Sequence, residues 1–398
     1  MGRNRPSGEA SRREKRGFTL TAPEGPQAGP RAGTLHLEEM VLNMGPQHPS
    51  THGVLRLVLR LDGEEIVSVD PVLGYLHRGF EKLAENRTYF QFPSMLGRLD
   101  YLSSIFMEWT YVGCAEQLME IEAPPRAEYL RVITAELNRI MSHQIATGDF
   151  LLNLGGVTPF FWVFRDREDL MDLMEMLTGQ RMMYNYLRVG GVLHDVPEGF
   201  EEACRKFLKN FPAKIDEYEQ LITDNEIFLA RSLGMGVITA AEALDFGLSG
   251  PNLRASGVDW DLRRRPGYSV YGELDFEVPT GERGDCFDRY KCRIEEMRQS
   301  VRIVEQALDA LPGGPVSLKL PPMLRPPAGE VYWATESPRG EWGNYLVSDG
   351  GPAPYRLHVR APSFVNLAIL QEMLVGRKVA DVIAVLGSID IVLGETDR

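Results

Sequence analysis

Gly45-Pro46-Gln47-His48-Pro49-Ser50-Thr51-His52-Gly53 places two histidines in a loop of nine residues. Pro46 and Pro49 fix their own φ and remove two backbone donors, so the stretch cannot continue as a helix or a sheet ladder. Gly45 and Gly53 permit a sharp entry and exit. From Val54 to Leu61 the leucines at 55, 57, 59 and 61 alternate with Val54, Arg56, Val58 and Arg60, which is the period of a half-buried strand. Asp62-Gly63 signals a tight turn, and Glu65 to Val69 returns as a second strand. The expectation is a stiff hairpin holding a two-histidine tip out from a sheet.

Beyond this region the spacing becomes helical. It predicts helices over 94–122, 126–150, 165–187, 198–221 and 285–311, with Pro124-Pro125 separating the first two. Tyr290, Ile294, Met297, Val301, Val304 and Leu308 form one apolar stripe at three- and four-residue steps. Residues 150–164 carry no charge, but Gly155, Gly156 and Pro159 interrupt them, so they read as a buried bend and not as a membrane span. Gly- and Pro-rich stretches with short strand-like runs at 345–347 and 355–359 follow. The fold class is α+β: a β-rich N-terminal hairpin region (34–75), a central helical bundle (76–240 and 285–311), and a β-rich C-terminal region (241–284 and 312–398).

The 398 residues carry a formal charge of −13, which argues against nucleic acid as a partner. Residues 1–33 hold seven Lys/Arg and three Asp/Glu, so the rest of the chain carries −17. That first segment is rich in Pro, Gly and Ser without hydrophobic periodicity and reads as a disordered basic arm. Cys114, Cys204, Cys286 and Cys292 form no Cys-x-x-Cys pair, so buried, reduced thiols and no metal site are expected.

The histidine loop is followed by Leu76-His77-Arg78-Gly79-Phe80-Glu81-Lys82, Arg98-Leu99-Asp100-Tyr101, Pro124-Pro125-Arg126-Ala127-Glu128, Thr158-Pro159-Phe160-Phe161, Thr178-Gly179-Gln180-Arg181, Gly281-Glu282-Arg283-Gly284-Asp285 and the terminal segment from Gly387 to Arg398. Together these collinear blocks resemble the D-subunit family of respiratory complex I, the proton-translocating NADH:quinone oxidoreductase, whose ancestor is the large subunit of nickel–iron hydrogenases. The resemblance runs from about residue 35 to residue 398. It implies a hydrogenase large-subunit-like fold, quinone as substrate, and no cofactor bound by the chain itself. It also implies a [4Fe-4S] cluster in the adjacent B subunit, with the C, I and membrane-arm H subunits as further partners. The expected location is peripheral, on the cytoplasmic side of the cell membrane. Hydrogenases hold nickel on two Cys-x-x-Cys pairs. Where their C-terminal Asp-Pro-Cys-x-x-Cys would fall, this chain has Asp390, Ile391, Val392 and Glu395, so the thiolates that nickel demands are missing and hydrogenase activity is rejected.

Reducing a quinone takes two electrons and two protons, and its head group needs hydrogen-bond donors to both carbonyl oxygens. Imidazole exchanges its proton near neutrality, and a phenol donates while staying neutral. By resemblance, His52 and Tyr101 are the catalytic contacts, with His48 and Asn153 as further head-group candidates. Arg98, three residues before Tyr101 and on the same face of an expected helix, and Met183 would lie near the partner's cluster. Two positions depart from the family pattern. Asn153 stands where relatives place an aspartate that pairs with the loop histidine, and Met183 stands where many place a histidine. Asp149, one helical turn before Asn153, is the expected substitute. Asp149 and Asp390 are the proton-coupling candidates. Three readings remain open: NADH-driven quinone reduction, the same reaction driven by ferredoxin, and a non-catalytic scaffold subunit. Ubiquinone and menaquinone are equally compatible.

Overall fold

A computed structural model describes residues 40–48 and 52–398. The basic arm expected over 1–33 lies outside the described residues.

The leading sheet has three strands, in the order β1 (Met40–Met44), β2 (Arg56–Asp62) and β3 (Glu65–Val72), all antiparallel. The leucine alternation buries one face as expected: Leu55, Leu57, Leu59 and Leu61 are fully buried, and Leu59 faces Val69 across the ladder. Strand β1 is an addition to the expected hairpin, because five residues with only Met44 buried carry no usable alternation. Its presence relocates the histidine loop. The tight turn of the β2–β3 hairpin is at Asp62-Gly63, whereas the segment from Gly45 to Gly53 connects β1 to β2 at the opposite end.

The central helix, Pro125–Asn153, starts on a proline at its first turn and is buried along most of its length. Val157–Thr178, Cys286–Asp309 and Asp381–Ile389 pack around it, and Phe200–Ile222 packs outside the Val157–Thr178 helix. The apolar stripe of Cys286–Asp309 faces the core as expected, and the Asp285 side chain caps that helix by accepting from Asp288 N at 2.9 Å.

Four expectations are corrected. Residues 94–122 are not one helix. A short turn of helix at Pro93–Leu96 ends at Gly97, and the long helix begins only at Ser104 and runs to Met119. Between them the Asp100 side chain accepts from Leu102 N at 3.1 Å and from the Ser103 hydroxyl, an Asx-type turn that competes with helical hydrogen bonding. Arg98 and Tyr101 therefore sit on an irregular turn rather than a helical face. Second, 150–164 is not a buried bend: only 154–156 turn, and Val157 and Phe161 are 50% and 63% exposed on the next helix. That helix stops at Thr178 because Gly179 adopts φ 79° as its left-handed cap, so Met183 lies on a loop. Third, residues 241–284 hold short helices at Ala240–Asp245 and Pro251–Arg254 and no strand. Fourth, the C-terminal sheet (Gly329–Ser337, Gly340–Ser348, Arg356–Arg360) is longer than the runs suggested, and it is followed by four short helices and no further strand.

The core around the central helix is highly charged. Arg254 donates to Glu296 at 2.7 Å and to Glu336 at 2.7 Å, while Arg263 bridges Asp261 and Glu136. All of these side chains are at most 1% exposed, and each charge has an opposite partner, as burial requires. No described helix is long and apolar enough to cross a membrane.

Candidate functional site

His52 opens the described part of the loop after its prolines, with φ 49° in the left-handed region, directly before Gly53 at φ 101°. The backbone thereby turns the imidazole inward against the end of the central helix. Its Nδ1 lies 3.8 Å from Asp149 Oδ2, and its side chain keeps only 17% exposure. Nε2 is buried and has no hydrogen-bond partner among the described residues. Burial holds the imidazole below its ordinary value, while Asp149 and Asp390 pull the other way. Burial, with Asp390 adding to it, pushes the Asp149 carboxyl up.

Asn153 turns to Asp149 and not to the histidine. Its Nδ2 donates to Asp149 Oδ2 and to Asp149 O, both at 2.9 Å. It therefore orients the carboxylate that faces His52, a relay that the four-residue spacing on one helix face permits. His48, at the other end of the loop, is half-buried.

Tyr101 is 41% exposed, and partial burial raises its hydroxyl above the ordinary phenol value. Asp100, beside it, binds Arg339 Nη1 at 2.7 Å; the other arm of the same guanidinium donates to Asp390 Oδ1 at 3.2 Å. Asp390 takes φ 59° at the end of the Asp381–Ile389 helix, and its Oδ2 has no hydrogen-bond partner among the described residues. The charges of Arg339 and Asp390 act on both His52 and Tyr101, so one fully buried ion-pair chain underlies both residues.

Arg339 is a site residue that sequence reasoning misses. A fully buried arginine in the turn Ser337-Pro338-Arg339-Gly340 carries no local signal beyond the glycine, and its partners lie 51 and 239 positions away. Glu395 stands out in the sequence only as a missing thiolate. It is fully buried, accepts from Ser363 N at 2.9 Å, and is pushed up to about 8 by burial and by Asp100.

Arg98 is exposed, donates to Ser94 O, and offers its own carbonyl to Arg78 Nη2 at 2.8 Å. Met183 lies beside Gly97, the residue before Arg98: a Cβ added to Gly97 would lie 3.6 Å from Met183 Cα. Distant sequence blocks thus converge on two neighbourhoods, one at His52, Asp149 and Asp390 and the other at Arg98 and Met183, with Tyr101 on the turn between. Among the described residues no three His, Cys, Asp or Glu side chains gather as a metal site. The four thiols are buried and unbridged, and burial raises Cys204 and Cys292 to about 12.

A family model described as the respiratory-chain NADH dehydrogenase 49 Kd subunit matches residues 153–326 and 319–398. The chain is 56% identical to the D subunit of the NADH-quinone oxidoreductase of Desulforamulus reducens, across 92% of this chain and 100% of that one. Identity is 54% with the corresponding subunit of Dehalococcoides mccartyi, covering 91% and 99%, and 51% with that of Clostridium beijerinckii, covering 92% and 98%. The chain therefore belongs to the 49 kDa subunit family of the respiratory-chain NADH dehydrogenase, the D subunits of complex I.

Proposed function

We propose that a quinone head group is received between His52 and Tyr101, and that the chain is the quinone-reducing core subunit of a proton-translocating NADH:quinone oxidoreductase. The single observation that carries this reading is the buried Nε2 of His52, left without a partner among the described residues while Nδ1 faces Asp149. A buried polar nitrogen costs free energy unless something binds it, and a quinone carbonyl oxygen is a suitable acceptor for an Nε2–H. With its one proton on Nε2, the neutral ring that burial favours donates Nε2–H to the carbonyl, while Nδ1 faces Asp149, whose own carboxyl burial pushes up. Reduction draws the Nε2 proton onto the quinone oxygen, and Asp149 and Asp390 favour its replacement on the ring. Tyr101 donates to the second carbonyl, and its proton completes the quinol. The two electrons come from an iron–sulfur cluster on the partner B subunit, placed against Arg98 and Met183. A cation there favours the more negative reduced cluster.

The C, I and membrane-arm H subunits complete the assembly, which holds this chain on the cytoplasmic face of the membrane. NADH as electron source follows the names of the relatives, and alone the chain is expected to be inactive. Tyr101→Phe tests the reading. Leaving one carbonyl oxygen unpaired should cost roughly 1–3 kcal/mol, read as a fall in kcat/KM of about five- to 150-fold in the assembled enzyme. Unchanged turnover with short-chain quinones would return the chain to a scaffold role.

A further inference from the structure

Behind the loop that carries Met183 lies a buried carboxylate that the proposed chemistry does not use. Glu108, on the Ser104–Met119 helix, is 1% exposed. Its Oε1 accepts from Asn185 N at 2.6 Å, and its Oε2 accepts from Tyr186 N at 2.9 Å and Leu187 N at 3.1 Å. Three consecutive amides thus converge on one side chain. The backbone they belong to has two non-glycine residues in the left-handed region, Met183 at φ 56° and Asn185 at φ 48°. Such conformations persist only where the surroundings hold them, and Glu108 is a buried charged group that holds the amides of 185–187. The other side of the carboxylate faces Gly97, the residue that leads into the Arg98–Tyr101 turn. A Cβ placed on Gly97 would lie 3.7 Å from Glu108 Oε1 and 3.6 Å from Met183 Cα.

We propose that Glu108 is a proton-operated latch: as a carboxylate it holds the 185–187 backbone, and on protonation it releases at least one amide and lets the Met183 loop move against the Arg98–Tyr101 turn. Protonation weakens the hold, because the neutral carboxyl loses its charge and part of its acceptor capacity toward the three amides, one oxygen becoming an O–H donor. The charged and titratable groups facing the carboxyl are Arg188, on the short strand Leu187–Arg188, and the hydroxyl of Tyr184, which donates to Met141 of the central helix at 3.4 Å. Arg188 also ties the same loop by donating to Asn185 Oδ1 at 3.0 Å. Burial pushes the Glu108 carboxyl up to about 7, against the pull of the three amides and of Arg188, so both forms are populated near neutrality. Met183 has nothing to titrate, so the proton-linked group proposed to act on its loop is Glu108, from the Ser104–Met119 helix. The consequence for the cluster side of the site rests on the quinone-site reading, but the latch does not.

Amide hydrogen exchange on the assembled enzyme, corrected for intrinsic rates, decides it. Protection of Asn185, Tyr186 and Leu187 is expected to fall about tenfold from pH 8 to pH 6, as one proton opens the latch. In Glu108→Gln, which cannot titrate, protection should be low and independent of pH. Constant protection in the wild type, or an unchanged pH dependence in Glu108→Gln, would overturn the proposal. If the variant fails to fold, the wild-type profile alone settles the matter. Quinone reductase activity is not part of this readout, so its loss or retention bears only on the function proposed above.

Discussion

Replacing Arg254 with leucine is expected to cost about 3–5 kcal/mol of stability, because it strips the shared cation from buried carboxylates. Arg254 donates to Glu296 through Nε and Nη2 and to Glu336 and Trp260 O through Nη1, and it lies 3.5 Å from Asp261. The retained carboxylates then sit in the core without enough positive charge, so their native pKa values rise above those of the unfolded chain. Such a group binds more protons in the native than in the unfolded state. The deficit should therefore shrink as pH falls toward 5 and deepen as it rises. Denaturant unfolding of the variant at several pH values checks both the size and the slope. Adding Glu336→Gln should restore part of the loss, since the pair shares one interaction. A loss under about 1 kcal/mol would mean that these groups are not held as ions.

His52→Ala is the second large effect. It removes the proposed proton donor and the only protein contact proposed for one carbonyl of the quinone, and quinone reduction should drop roughly a hundredfold or more. The cluster on the partner subunit should still be reduced by the electron donor, because nothing on that side of the site changes. Assembly with retained turnover would contradict the role given to the loop.

The parts of this fold that are legible in the sequence are those governed by periodicity. The alternating leucines of β2 and the apolar stripe of Cys286–Asp309 bury as their spacing demands. Local competition is harder to see. After the first helix stops at Gly97, Asp100 accepts from Leu102 N and from the Ser103 hydroxyl, and the helix resumes only at Ser104. Gly179 is visible as a residue, but not as the cap that leaves Met183 on a loop. In the site, the family resemblance sets Asn153 against the imidazole and the one-turn spacing offers Asp149 as its substitute; in the structure Asp149 faces His52, and Asn153 binds Asp149. Arg339 and Glu108 cannot be found by spacing. Each works through residues far along the chain, and only the fold brings their partners within reach.

The central claim, that the quinone head group sits between His52 and Tyr101, is tested most directly by photoaffinity labelling of the assembled enzyme with a quinone bearing a photoreactive head group. The label is predicted on the segments around His52 and Tyr101, displaced by excess short-chain quinone and lost at the first segment in His52→Ala. Label confined to other subunits, or unaffected by competing quinone, would contradict it.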